Sequence, residues 1–179
     1  MSFSKDIVNK SVRHITLAAM LLTVLYVQEL LLSGLPNIQL TVVLIMVYGA
    51  VLPLGLSLPI VFGYVLLDNM VFGSFSILYT PAMFFSWILL VLVAKSLAHK
   101  KFIWTLLFAS LFGFIYGWSF FPAKMIEQGI AYLWPYFLSD IVFELIMVVN
   151  NFVTVLLLYR HLRDILETLY NPDKPIIEL

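Results

Sequence analysis

Residues 135–160 read PYFLSDIVFELIMVVNNFVTVLLLYR, an apolar run whose charged side chains are Asp140, Glu144 and Arg160. About 20 predominantly apolar residues are enough for a helix to cross a bilayer. The run therefore predicts a membrane-spanning helix that begins at Pro135 and continues past Tyr159.

Five further apolar runs precede this one, and glycine, proline or charged residues separate them. They cover about 14–33, 40–52, 56–71, 81–97 and 102–121. Gly and Pro are the strongest local breaks in helical patterns. The Leu-Pro-Leu-Gly stretch at 52–55 either separates two spans or kinks one bent hairpin. The sequence thus predicts an all-α integral membrane protein, a six-transmembrane-helix bundle in which residues 1–179 form one domain.

The composition indicates a lipid environment. Of 179 residues, 63% are hydrophobic and 11% are charged, whereas soluble domains carry about 25% charged residues. Secreted disulfide scaffolds and cytosolic enzymes are therefore excluded. The chain has no cysteine, which also excludes thiol catalysis and cysteine metal sites. Its ten basic and ten acidic residues cancel, which argues against a nucleic-acid partner.

The six-span topology sorts the basic residues onto one side of the membrane. Positive charge is enriched in cytoplasmic loops, so both termini are expected in the cytoplasm. The basic residues before the first apolar run would also suit a signal peptide. However, the length of this run and its lack of a small-residue cleavage site favour an uncleaved helix. Lys124 alone lies on the outer side, and the inner side collects Lys5, Lys10, Arg13, Lys95, Lys100, Lys101, Arg160, Arg163 and Lys174.

Polar and aromatic side chains gather in the outer half of the predicted spans. A carboxylate in a spanning helix is costly, about 2.5–3.5 kcal/mol for Asp at the helix centre, and normally faces the bundle interior or an aqueous cavity. Asp140 and Glu144 are four residues apart and share one helix face. We predict one outward-facing ligand pocket, with the candidate residues Asn37, Gln39, Asp68, Tyr79, Trp87, Tyr116, Asp140 and Glu144.

Several of the candidates also have a structural interpretation. Asp140 and Glu144 alternatively reach the headgroups or pair with Lys124, and Trp87 alternatively fills a packing position. Asn150 and Asn151 suit hydrogen bonds to a neighbouring helix. An interfacial aromatic belt is the favoured role for Trp118, Tyr132 and Trp134.

The sequence lacks several catalytic and metal-binding motifs. It has no H-E-x-x-H, no G-x-S-x-G and no phosphate-binding loop, so ATP hydrolysis by that loop is excluded. His14, His99 and His161 fall at cytoplasmic boundaries, so no histidine-ligated metal or haem is expected in the outer pocket. Small-molecule binding without a cofactor is the favoured function. A small integral membrane enzyme that uses Asp140 and Glu144 as acid and base, or an accessory subunit, is the alternative.

Four segments resemble the substrate-binding S-components of energy-coupling factor (ECF) vitamin transporters. They are 34–41 (GLPNIQLT), Tyr48-Gly49, Tyr79-Thr80-Pro81 and 158–162 (LYRHL). With the size, the six spans and the inward termini, the resemblance covers nearly the whole chain. It implies a six-helix bundle in a prokaryotic cell membrane that binds one vitamin with high affinity near the outer surface.

The resemblance also implies protein partners, namely a transmembrane coupling subunit and two cytosolic ATPases, with the binder toppling to release its vitamin inward. Many members carry a small-x-x-x-small pair on the first helix, which lets the coupling subunit approach closely. Here Ala18 is followed four residues later by Leu22, which departs from that pattern. Ala19 and Thr23 are the substitute pair that we assign to docking, with ordinary helix packing as the alternative.

The outer half of the predicted bundle is acidic, which narrows the choice of vitamin. Its one basic residue is Lys124, and its acidic residues are Glu29, Asp68, Glu127, Asp140 and Glu144. Anionic vitamins such as pantothenate are badly matched to this surface. Carboxylates suit ligands rich in N–H or O–H donors, and aromatic side chains suit a flat ring. We expect the hydroxymethyl-aminopyrimidine precursor of thiamine or pyridoxine, with a different vitamin as the alternative.

Overall fold

The computed structural model describes residues 2–73 and 75–171, which form a helical bundle. Side chains are described from residue 11 onward within these ranges. The helices are α1 (Ser2–Leu32), α2 (Thr41–Val51), α3 (Leu54–Val71), α4 (Tyr79–Leu97), α5 (Phe102–Ser119), α6 (Phe121–Gln128) and α7 (Leu133–Tyr170), and a short 3₁₀ turn (Ile130–Tyr132) lies between α6 and α7.

Within these ranges, five helical segments are long and apolar enough to cross a membrane. The run at 40–52 also forms a helix, but α2 has 11 residues and spans about 16 Å at 1.5 Å per residue. That length is roughly half of a 30 Å hydrocarbon core. The helix ends where it does because Pro53 forces Leu52 into an extended conformation (ψ 153°). The stretch at 52–55 is therefore a break between two helices.

Helix α2 lies inside the bundle. Its residues from Thr41 to Ala50 are all buried, and it packs mainly against α4 and α7. A helix that is apolar on every side is expected to be surrounded in this way. At Gly49 the backbone of α4 comes so close that a Cβ atom would lie 2.8 Å from the carbonyl oxygen of Val91. Glycine is therefore required for the contact between α2 and α4.

Two helical regions differ from the predicted spans. Pro122 was expected to close the fifth run, but it lies in the first turn of α6, a position that proline favours because its missing N–H is not needed there. Helix α7 continues to Tyr170, ten residues beyond the predicted span. Its polar last part keeps an inward-facing stripe that includes Leu162 and Leu166, which accounts for the extension.

The part of α1 around Arg13 and the end of α7 lie at the same end of the bundle. Arg13 donates to the carbonyl oxygen of Leu169 (2.6 Å), and the His14 ring stacks on Tyr170. The α4–α5 turn joins them, because Arg163 donates to the carbonyl oxygen of Ala98 (3.1 Å). This basic end carries Arg13, Lys95, Lys100, Lys101, Arg160 and Arg163. Lys174 and the side chains of Lys5 and Lys10 lie outside the described residues.

Candidate ligand-binding site

A cavity of about 190 Å³ lies between α5, α7 and the α1–α2 loop, at the end of the bundle opposite Arg13 and Tyr170. Four of the predicted site residues line it together, although they come from three separate parts of the sequence. We call this space the outer cavity. Its lining comprises Asn37, Gly113, Tyr116, Gly117, Phe120, Tyr136, Asp140, Phe143, Glu144 and Met147.

Glu144 is the most buried carboxylate of this cavity, with 3% of its surface exposed. It lies against α5, where glycine leaves room for it: a Cβ atom on Gly117 would collide with its carboxylate oxygen Oε1. Trp118 is close enough to interact with the carboxylate. Even so, neither oxygen has a hydrogen-bond partner of normal geometry among the described residues. Such a group is costly unless something binds to it.

Asp140 lies one helical turn before Glu144 and is half-buried on the same side of α7. The structure does not pair Asp140 or Glu144 with Lys124, which was the alternative role for these carboxylates. The Lys124 Nζ atom is 3.6 Å from a carboxylate oxygen of Glu127 and 4.9 Å from the centre of the Tyr79 ring. The two α7 carboxylates therefore face the cavity without that lysine as their counter-ion.

The α1–α2 loop is fixed to α7 by two side-chain hydrogen bonds. The Asn37 side-chain amide donates to the carbonyl oxygen of Phe143 (3.0 Å), and that of Asn150 donates to the carbonyl oxygen of Gln39 (2.7 Å). Asn37 has φ 59°, a left-handed conformation that asparagine tolerates better than most residues. The loop thus forms one wall of the outer cavity, with Asn37 at the cavity and Gln39 beside it.

A second polar cluster joins α1, α2 and α3. The Thr41 hydroxyl accepts from the Gln28 amide (2.7 Å) and donates to the Glu29 carboxylate (2.8 Å), which also accepts from the Tyr64 hydroxyl (3.2 Å). Gln28 is buried and accepts from the backbone N–H of Leu40 (2.8 Å). These bonds fix the start of α2 relative to α1, and with it the loop that forms the cavity wall.

Thr41→Val should lower the thermal stability of the protein in detergent. Valine keeps the shape of threonine but leaves the Gln28 amide and the Glu29 carboxylate without this partner, which costs about 1–3 kcal/mol. Thermal unfolding monitored by tryptophan fluorescence measures the change. Thr16→Val is the matched control, because Thr16 is exposed and its hydroxyl bonds only to its own helix. Equal melting temperatures for the two variants would contradict this account.

Trp87 lies behind the cavity wall rather than in the wall itself. It is 1% exposed, and its ring centre is 4.9 Å from that of Tyr116, 5.5 Å from Phe112 and 5.9 Å from Tyr64. Its indole N–H has no partner among the described residues. Trp87 therefore supports Tyr116, and the aromatic row connects the outer cavity with the Thr41 cluster.

Asp68 and Tyr79 do not line the outer cavity. Asp68 lies one turn after Tyr64 on α3, so both residues share the side of α3 that faces the Glu29 carboxylate. The Tyr79 hydroxyl donates to the Glu127 carboxylate, which ties the start of α4 to α6. The structure therefore places neither Asp68 nor Tyr79 in the lining of the outer cavity.

The predicted docking pair lies on the face of α1 that points away from the bundle. Ala19 and Thr23 are exposed, and the Thr23 hydroxyl donates to the carbonyl oxygen of Ala19 (2.8 Å). The neighbouring Leu22 instead faces the bundle, where its side chain meets Gly63 of α3. The face that carries Ala19 is accordingly open to lipid or to another protein.

Gly113, Gly117 and Tyr136 line the outer cavity but are not among the predicted site residues. Gly113 and Gly117 form a G-x-x-x-G pair, a pattern of close helix packing in membranes, and α5 packs on α7 over this pair. Tyr136 precedes Asp140 by one turn, so the spacing could have revealed it.

No family model, curated protein or solved structure matches this chain. In the part of the chain that the structure describes, His, Asp and Glu side chains form no group of three that could hold a metal ion.

Proposed function

We propose that this chain is a membrane-embedded binding subunit that captures a small heterocyclic molecule through the carboxylate of Glu144. The observation that supports this most is the burial of that carboxylate beside a cavity without a hydrogen-bond partner among the described residues. Buried charges are normally paired, and ionisable groups within membrane segments mark binding sites or transport pathways. A ligand with N–H donors supplies the missing partner.

The size and chemistry of the outer cavity support a single substituted ring. An engineered cavity of about 150 Å³ holds benzene, and this one measures about 190 Å³. Tyr116, Phe120 and Tyr136 supply flat aromatic surface, and Asp140 and Glu144 accept hydrogen bonds. No lysine or arginine is among the described residues that line it. Neutral or cationic rings such as the hydroxymethyl-aminopyrimidine or pyridoxine therefore suit it better than anionic vitamins.

The resemblance to ECF S-components supports a transport role. In that role the chain delivers its vitamin inward together with a transmembrane coupling subunit and two cytosolic ATPases, in a prokaryotic cell membrane. The exposed Ala19–Thr23 face is the proposed docking surface. The short α2 counts as the second of six spans, and the basic end with both termini faces the cytoplasm by the positive-inside rule.

Calorimetry on the purified protein tests the binding function. We expect micromolar or tighter binding of the hydroxymethyl-aminopyrimidine or of pyridoxine, and no heat of binding with pantothenate. Tight pantothenate binding without binding of either ring would refute the assignment. Co-purification tests the transport role separately, because a transporter subunit should bring down a large membrane protein and two ATPases.

A membrane enzyme is the second candidate, because two carboxylates one helical turn apart line the same cavity. General acid–base catalysis needs such a pair near the substrate. Incubating the protein with the ring that it binds, followed by mass analysis of the solution, separates the two functions. A binder returns the ring unchanged, whereas an enzyme releases a product.

A further inference from the structure

A second and larger cavity lies at the basic end of the bundle. It measures about 610 Å³ and is lined by the end of α4, the α4–α5 turn, the start of α5 and residues between 156 and 167 of α7. We call it the inner cavity. Neither the outer site nor the proposed docking face includes any of its residues.

The inner cavity changes from apolar to charged along α7. Leu156 and Leu157 line one part, and Arg163 lies about 10 Å further along the helix at 1.5 Å per residue. Leu97 and Phe102 also line the cavity, as do Lys100 and Arg160. We call Leu156 and Leu157 the floor of the cavity, and its charged residues the rim. An apolar floor beside a basic rim matches an acyl chain attached to an anionic headgroup.

Two cations of the rim are available to a ligand. Arg163 is already paired with Glu167 (2.8 Å) and bonded to the carbonyl oxygen of Ala98. Lys100 and Arg160 are exposed and take part in no ion pair among the described residues. The Arg160 guanidinium lies over the Phe102 ring, 4.7 Å from its centre, which fixes its position. The rim also carries Asp164, so among the described residues the two cations without an ion pair outnumber the one carboxylate without one.

We propose that the inner cavity binds an anionic phospholipid, whose phosphate lies between Lys100 and Arg160 while an acyl chain covers Leu156 and Leu157. These leucines are 47% and 68% exposed, so the floor continues into the lipid-facing surface of α7. That continuity favours a lipid over a soluble anion. Basic pockets at the ends of transmembrane helices bind anionic headgroups in this manner.

Native mass spectrometry of the detergent-solubilised full chain tests the proposal. With phosphatidylglycerol added, we expect one retained lipid at concentrations where phosphatidylcholine is not retained. Lys100→Gln should weaken phosphatidylglycerol binding about fivefold, because a basic residue near an anionic headgroup contributes about 1 kcal/mol to the binding free energy. Lys101→Gln is the matched control: it lies next to Lys100, carries the same charge and does not line the cavity. It should change binding less than twofold.

Two results would overturn the proposal. The first is equal retention of both lipids, or equal effects of Lys100→Gln and Lys101→Gln. The second is full competition by millimolar glycerol phosphate, which would identify a soluble-anion site instead. Arg160→Lys provides a further check, because it keeps the charge and should keep most of the binding. The lipid measurement does not involve the outer cavity, so its failure leaves the proposed vitamin site unaffected.

Discussion

Glu144→Gln is expected to weaken binding of the hydroxymethyl-aminopyrimidine about 10- to 100-fold. A hydrogen bond to a charged group contributes about 1.5–3 kcal/mol, and each 1.4 kcal/mol is a factor of ten in affinity. Glutamine keeps the size of the side chain, so the Gly117 contact is preserved while the charge is lost. Calorimetric titration of wild type and variant with the same ring measures the ratio of dissociation constants.

Glu127→Gln is the matched control for this prediction, since Glu127 is exposed and does not line the outer cavity. It should leave the affinity within about twofold. The thermal stability of ligand-free Glu144→Gln should not fall, because the wild-type carboxylate makes no hydrogen bond with a described residue that the substitution would remove. A large loss of stability with unchanged affinity would mean that Glu144 serves the fold and not the ligand.

Gly49→Ala is expected to lower the free energy of unfolding by about 1–3 kcal/mol, the usual cost of overpacking. The added methyl group would meet the Val91 carbonyl oxygen and the Ala94 Cβ atom, both at 2.8 Å. The carbonyl belongs to the backbone and cannot move aside alone. Alanine favours a helix over glycine by about 0.5–1 kcal/mol, so the steric cost exceeds this gain. Thermal unfolding in detergent measures the net effect.

Gly55→Ala makes the same substitution where no atom outside the local helix lies within 4 Å of the new methyl group. We expect its melting temperature to equal that of wild type or to exceed it slightly. Equal stability of Gly49→Ala and Gly55→Ala would contradict the close contact between α2 and α4 at Gly49. The position of α2 in the bundle, and of the loop that precedes it, would then need revision.

Much of the helical architecture was predictable because lipid requires long apolar helices and Gly or Pro marks their breaks. The long run at 135–160 follows directly from these rules, whereas the stretch at 52–55 stayed open between a break and a kink until the structure showed a break. The buried position of α2 was not predictable in this way, because a helix of 11 residues that is apolar on every side resembles a short span in sequence. Its burial is decided by α4 and α7, which lie far away in the chain.

The outer cavity was partly predictable for the same reason. The spacing of Asp140 and Glu144 placed both carboxylates on one side of α7, and the outer cavity contains both. No sequence pattern distinguished Tyr116, which lines the cavity, from Trp87, which packs behind it. Asp68 and Tyr79 have polar neighbours of their own on α3 and α6. Local spacing thus predicts which residues share a helix face, whereas packing between helices decides which face meets the cavity.

The most direct measurement is native mass spectrometry of the freshly extracted protein, with fragmentation of any small molecule that it releases. We expect one bound neutral or cationic ring in the wild type, and its loss in Glu144→Gln but not in Glu127→Gln. A bound anionic vitamin, or a wild type that stays empty even after incubation with the hydroxymethyl-aminopyrimidine and pyridoxine, would contradict this expectation.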